Sequence, residues 1–153
     1  MSGTIAAAAK ARLVGTDNVL TGLSGMTGVE VAYNMPRDVP EEVIYGGKIS
    51  GPVELAAMKG GSGGRVKRKE DLTLRLHIRV CKKGEATTED AEARAAALST
   101  IVEDYIAENY TLGDLANLKL ARVESVDLDS WLTDDGGSYS EITLSIALMS
   151  FLS

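Results

Sequence analysis

Nucleophilic catalysis needs a base held beside a nucleophile, and the one imidazole in the chain is His77, which stands between Arg75 and Arg79 in an alternating stretch. Neighbouring cations do not orient an imidazole. His77 therefore reads first as a polar side chain on a solvated strand face, second as part of an interface, and last as a catalytic base. Cys81 follows on the same stretch without a CxxC partner and reads as a passive thiol. One Cys and one His on a single strand fall short of the clustered ligands that zinc requires. Asp127, Asp129, Asp134 and Asp135 resemble a cation loop, but the calcium-loop pattern needs an oxygen ligand at position 131, where Trp131 stands. A hairpin turn with acidic flanks explains these aspartates better than weak cation binding.

The glycines fail a phosphate-loop test as well. Gly47 and Lys48 are followed by Ile49 where Ser or Thr is required, and Glu42 occupies a position that needs glycine. The run GGSGGRVKRK, Gly60 to Lys69, carries Arg65, Lys67, Arg68 and Lys69 without an aromatic residue to stack a base. Three readings stay open for it: a protein-contacting arm, an idle surface loop, or a contact to a nucleic-acid backbone. Trp131 either anchors the core of a hairpin or faces a partner. Arg65, Lys67, Arg68, Lys69, Trp131, Asp134 and Asp135 are the candidate protein-interface residues. No catalytic, cofactor-binding or metal-binding set emerges, and the expectation is a non-catalytic protein.

The elements that must position these side chains follow from periodicity. Ile5, Ala9, Leu13, Leu20 and Leu23 share one helical face, with Gly15 marking either a break, where Thr16 or Asp17 could cap a fresh turn, or a weak point in one continuous rod; Gly25 and Gly28 end the segment. Val29, Val31 and Tyr33 alternate as a strand stopped by Pro36, and a polar loop runs to Glu42. Val43 to Tyr45 predicts a short strand and Pro52 to Met58 an edge strand, with the glycine-rich run as a flexible loop after it. Leu72, Leu74, Leu76, Ile78 and Val80 alternate with Thr73, Arg75, His77 and Arg79, giving a strand with one core face and one cationic face.

Thr87 and Asp90 form a capping-box pattern for a second helix. Its stripe is Ala91, Ala95, Leu98, Val102, Tyr105 and Ile106, widened by Ile101, and it ends near Gly113. Leu118 to Leu132 and Ile142 to Leu152 then pair as a hairpin turning at Thr133 to Gly137, with Asp135 and Gly136 at the tip. In the last strand Ile142, Leu144, Ile146 and Leu148 share one parity whereas Met149 and Phe151 take the other, which predicts a bulge or burial on both faces, the second face covered by a subunit contact. The fold class expected is α+β, an antiparallel or mixed sheet with two main helices packed on one face.

Composition bounds the rest. A chain of 153 residues fits one domain, able to bury roughly 70% of its unfolded surface. Hydrophobic residues at 44% and charged residues at 25% exclude a disordered chain, and 22 acids against 16 bases, a net charge of −6, disfavour general attraction to nucleic acid. A lone cysteine calls for no oxidising compartment, Lys10 and Arg12 interrupt any signal-peptide core, and no 18-residue apolar run suggests a membrane span. Synthesis in a cytoplasm is expected.

The whole succession resembles the tail terminator, or tail-completion, proteins of long-tailed bacteriophages, especially those of actinobacterial hosts. The resemblance rests on the Ala-rich opening GTIAAAAKARLVG, the valine-rich strand ending in Tyr33 and Pro36, and the acidic proline loop leading to VIYGG. It continues through the helix AEARAAALSTIVEDYIAENYTLGD and the hairpin turning at TDDGG. It implies a virion protein at the head-proximal end of the tail: a ring, by resemblance a hexamer, that caps the tail tube, ends its polymerisation and docks the head connector. DNA would pass through the lumen without specific binding. Neither catalysis nor a cofactor is implied. The neighbouring alternatives are a stopper, an adaptor or a minor tail protein, and from another class a small-molecule-binding domain, which would need a pocket with convergent polar groups.

Overall fold

The alternation from Leu72 to Val80 forms the middle of a longer strand, β4 (Arg68–Lys82), which pairs antiparallel with β6 (Ser138–Leu152) from Arg68 opposite Leu152 to Lys82 opposite Ser138 without a shift. The computed structural model describes residues 4–55, 68–84, 87–134 and 136–152. Its other elements are α1 (Ala6–Val14), β1 (Glu30–Ala32), β2 (Glu42–Ser50), β3 (Val53–Leu55), α2 (Thr88–Glu108) and β5 (Leu118–Leu132). The six strands make one sheet in the order β1-β2-β4-β6-β5, with β3 beside the start of β4; β1 and β2 are parallel and the other pairs antiparallel. The class is α+β with a mixed sheet.

A period of two decides which side chains are buried. Leu74, Leu76, Ile78 and Val80 of β4 and Leu144, Ile146 and Leu148 of β6 are essentially inaccessible, and they join Ala9, Leu13 and Val14 of α1 and Ala91, Ala95, Leu98, Val102 and Ile106 of α2 in one cluster. Full burial of each aliphatic chain is worth about 1.5–3 kcal/mol, so this cluster dominates the folding energy. Tyr105 and Ile101 reach only its margin. The parity change expected in the last strand is not a bulge in β6. Its ladder with β4 is continuous, and Met149 simply lies on the other face opposite Asp71. The irregularities fall in β5 instead, between Leu118 and Leu120 and between Val123 and Ser125.

The break at Gly15 is realised. A Cβ there would stand 2.5 Å from the carbonyl oxygen of Ala11, so only glycine lets the chain leave α1 in this direction. Neither Thr16 nor Asp17 starts a new helix; Asn18 organises the turn, its amide donating to the Gly15 carbonyl and its Oδ1 accepting from the Thr21 amide. Leu20 and Met26 still reach the core, carried by turns. The strand expected at Val43 to Tyr45 runs on to Ser50 because Gly46 and Gly47 serve close packing: a Cβ at Gly46 would meet Lys10 and Val14 of α1, and one at Gly47 would meet His77. A register shift between Gly46 and Ile49 accommodates the pair. β3 is shorter than expected among the described residues, and most of the glycine-rich run, 60–67, lies outside them.

The capping box forms as expected. Thr87 Oγ1 accepts from the Asp90 amide, and Asp90 Oδ2 accepts from the Thr87 amide at 2.8 Å, a bond that holds the Asp90 carboxyl below its ordinary range. α2 stops at Glu108, short of Gly113, and the chain turns through Leu112, Gly113 and Asp114, all at positive φ. Arg12 Nη1 binds that turn by donating to the carbonyls of Leu112 (2.8 Å) and Gly113 (3.0 Å). At the other end of α1 the buried carboxylate of Glu70 accepts from the Ile5 amide (2.9 Å) and from Ser150 Oγ (3.3 Å), so β4 caps a helix 65 residues away in sequence.

Two stability tests follow. Glu70→Ala leaves a buried amide and hydroxyl without their acceptor and is expected to cost about 1–3 kcal/mol, read as a lower urea midpoint at unchanged slope. Gly136 sits at φ +82 in the turn closed by the Gly136 amide on the Thr133 carbonyl. Gly136→Val is therefore expected to cost about 1 kcal/mol or more, and a midpoint equal to that of the unchanged protein would refute the strain argument. Asp135 lies outside the described residues.

Candidate interaction surface

The odd-numbered residues of β4 and β6 point away from the core cluster and, with their neighbours on β2 and β5, build a polar sheet face. Register alone lines up Tyr45, His77, Thr143 and Asp127 in one row and Arg79, Glu141 and Asp129 in the next. Glu141 is the centre of this face. Its Oε2 accepts from Arg79 Nη2 (2.7 Å) and Nε (3.0 Å), and its Oε1 lies 3.0 Å from His77 Nδ1 and accepts from the Tyr45 hydroxyl at 3.0 Å. The hydrogen bond from His77, aided by Arg79 and Tyr45, holds the Glu141 carboxyl down at about 2 against its burial. Burial, and then the Glu141 charge, push the Tyr45 phenol up to about 12.

His77 is thus oriented, contrary to the plain solvated reading. It stacks on Tyr45 with ring centroids 4.8 Å apart, and Gly47 leaves room for its Nε2 edge. Thr143 Oγ1 lies 3.1 Å from the same Nδ1 that faces Glu141. A relay would need the hydroxyl on one ring nitrogen and the carboxylate on the other, so this arrangement orders a sheet face and does not pass a proton from Thr143 to Glu141. Cys81 is buried beside the row.

Trp131 is not a core anchor of the hairpin. It belongs to the polar face, stacked parallel to Tyr139 at 5.5 Å with the Arg79 guanidinium 5.3 Å from its ring centre. Arg79 therefore links the Glu141 centre to the aromatic pair. Asp127 and Asp129 are exposed and flank a recess lined by Arg79, Trp131, Glu141 and Thr143; among the described residues no three metal-capable side chains come together. Asp134 is exposed in the hairpin turn.

The candidate interface residues do not converge. Arg68 and Lys69 open β4 at the end of the sheet where Phe151 and Leu152 lie, with Lys69 paired to Asp71 at 3.5 Å, whereas Trp131 lies opposite Tyr139. The 12 residue steps along β6 from Tyr139 to Phe151 set them about 40 Å apart. Arg65, Lys67 and Asp135 lie outside the described residues. Sequence reasoning missed Glu141 and Tyr45, whose only signal is the register of strands distant in sequence. It also missed the exposed apolar row Val126, Leu128 and Leu132 on the outer strand β5.

The Glu141 centre gives a pH test with a definite sign. A carboxyl depressed from 4.5 to about 2 on folding contributes stability that is fully present above pH about 4.5 and is lost as pH falls towards 2. Glu141→Gln is expected to be less stable than the unchanged protein at pH 7 and to approach it at pH 2.5; parallel curves of unfolding free energy against pH would refute this.

Comparison with known proteins adds little. No family model matches the chain, and no curated protein matches it. A solved structure described as "Virion of native gene transfer agent (GTA) particle" contains a chain that is similar over 99% of this chain and 100% of that one, at 18% identity and a TM-score of 0.47.

Proposed function

We propose that this protein is a non-catalytic structural component of a phage-like virion, of the tail-terminator kind: a ring of copies that caps the tail tube, ends its polymerisation and offers a surface to the head connector. The observation that carries the reading is the outer strand β5. It spans Leu118–Leu132 at the edge of the sheet, exposes every residue from Glu124 to Asp129, and turns Val126, Leu128 and Leu132 outward at 50%, 52% and 72% exposure. A long edge strand with apolar side chains is a pairing hazard for a free monomer, and a closed ring covers such edges.

The arrangement of layers supports the same reading. We infer that α1 and α2 share the face of the sheet that buries the even-numbered residues, leaving the Glu141 face for contacts with other copies or with the lumen. The surplus of acids, 22 against 16 bases, suits a channel through which DNA slides without specific binding. A ring repeats one modest contact at every subunit of the tube end, so avidity makes capping tight without a large interface per copy.

The test is to add purified protein to polymerising tube subunits of the same virion and measure tube lengths by electron microscopy. Shorter tubes with a ring at one end are expected. Unchanged lengths at saturating protein, with bare tube ends, would overturn the terminator reading.

A further inference from the structure

The hydrogen bonds of the hairpin fix which backbone groups of β5 face outward. The Thr133 amide donates to the Gly137 carbonyl, and in an antiparallel pair such bonded positions alternate with positions whose amide and carbonyl turn away from the partner. Counting back along the register turns Ser130, Leu128 and Val126 outward. Two points on this edge are already satisfied. The Ser130 amide donates to Asp129 Oδ1 (2.9 Å), and beyond the bulge the Ala121 amide donates to the Tyr110 carbonyl (2.6 Å). Between them Val126 and Leu128 leave an open slot, and a strand entering it meets a different chemistry on each side. Val126 and Leu128 have the parity of the core residues Leu144 and Ile142, whereas Asp127 and Asp129 stand on the polar side with Thr143 and Glu141. The slot therefore calls for a short strand with an apolar residue on one side and a base or hydroxyl on the other.

The opposite edge of the same sheet meets that description. β1 pairs only with Val43 to Tyr45, so the end of β2 has no strand outside it among the described residues. On either side of the register shift the Cys81 amide donates to the Glu41 carbonyl and the Asp71 amide to the Pro52 carbonyl, which turns Ile49 and Gly51 outward. Ile49 packs towards the core, whereas its neighbours Lys48 and Ser50 are exposed, Ser50 opposite Thr73 on the polar side. We propose that the end of β2 of one copy, Lys48 to Gly51, adds to β5 of a second copy as an antiparallel strand, with Ile49 opposite Leu128 and Gly51 opposite Val126. The inference rests on the ring reading above and names the joint between copies. Lys48 then stands opposite Asp129 and Ser50 opposite Asp127, while Ile49 lies beside Leu128 on the core side.

Strand polarity agrees with this joint. From β2 through β4 and β6 to β5 there are three antiparallel steps, so β5 runs opposite to β2. Rotation about an axis roughly along the strands preserves strand direction and sheet face, and it sets β2 of the next copy antiparallel to β5. The two edges differ, so the contact is head-to-tail and repeats until the sheet closes. Ile49 shares its row with Leu74, Ile146 and Val123; placing it opposite Leu128, in the row of Ile142, displaces the next copy by four residues, roughly 13 Å, along the strands. Sheets close into barrels with a stagger of this kind.

A cysteine pair reads the register directly. Ser50→Cys with Asp127→Cys sets two thiols on residues that face each other without backbone bonds, where Cα atoms approach to about 4.5 Å, within disulfide reach. Inside one copy β4 and β6 lie between these positions and hold them about 14 Å apart or more, and Cys81 is buried, so only a bond between copies forms. Mild oxidation of the full-length double variant is expected to give a ladder of covalent oligomers on a non-reducing gel, and a mixture of the two single variants to give dimers only. Lys48→Asp and Asp129→Lys supply a second readout, by light scattering across protein concentration. Each alone is expected to need about fivefold more protein to assemble, and the chain carrying both to assemble like the unchanged one. Circular dichroism and thermal midpoints confirm that each variant folds, and the charge exchange decides alone if the cysteine pair does not. If the unchanged chain assembles but neither a ladder nor a recovery is seen, or Asp127→Cys alone crosslinks to itself, this joint is wrong and the ring stands. If the unchanged chain is monomeric at every concentration, the ring reading and this inference fall together.

Discussion

The uninterrupted pairing of β4 with β6 is the constraint on which the rest depends. Fifteen residues of each strand keep one register, so the side-chain parity set at Leu72 and Ile142 holds from end to end. A one-residue slip would carry Leu74, Leu76, Ile78, Leu144 and Ile146 to the polar face and bring Arg75, His77, Arg79 and Glu141 into the core. Burial of that many charges is prohibitive without new partners, so the hydrophobic pattern fixes the polar face as firmly as it fixes the core. The Glu141 centre follows from parity and register alone: His77, Arg79 and Tyr45 reach it from two other strands because all three stand in adjacent rows.

The secondary contacts brace this ladder at its ends. Glu70, near the start of β4, accepts the amide that opens α1, and Arg12, in the last turn of α1, holds the carbonyls of Leu112 and Gly113 where α2 hands over to β5. α1 is short, with nine residues, and would be marginal alone. It is kept by being bound at both ends. The turn at Leu112 and Asp114 places two non-glycine residues in the left-handed region, at a cost of about 1–2 kcal/mol each. Burial of Leu112 and the Arg12 bonds offset that cost, which is why the turn persists without glycine at those positions.

What the sequence makes legible is what local pattern controls. The alternation of β4, the Thr87 and Asp90 cap, the Ala91 to Val102 stripe of α2 and the turn between β5 and β6 each depend on residues within a few positions of one another, and each forms where expected. The length of β2 does not, because Gly46 and Gly47 disfavour a strand by propensity and are retained for the approach of Lys10, Val14 and His77 from elsewhere in the chain. Glu141 was one of 22 acids until its strand was laid beside Arg79, 62 residues away. The exposed row on β5 was hidden for a related reason. Val126 and Leu128 share the parity of the core residues Leu144 and Ile142 opposite them, yet remain exposed, so periodicity assigns them to an interior they do not enter.

That mismatch is the strongest link from fold to function. An apolar residue of core parity that stays exposed is either a local defect or one half of a contact completed by another molecule, and Val126, Leu128 and Leu132 repeat it along one strand. The acids interleaved with them, Asp127 and Asp129, are exposed as well and guard the edge against indiscriminate pairing.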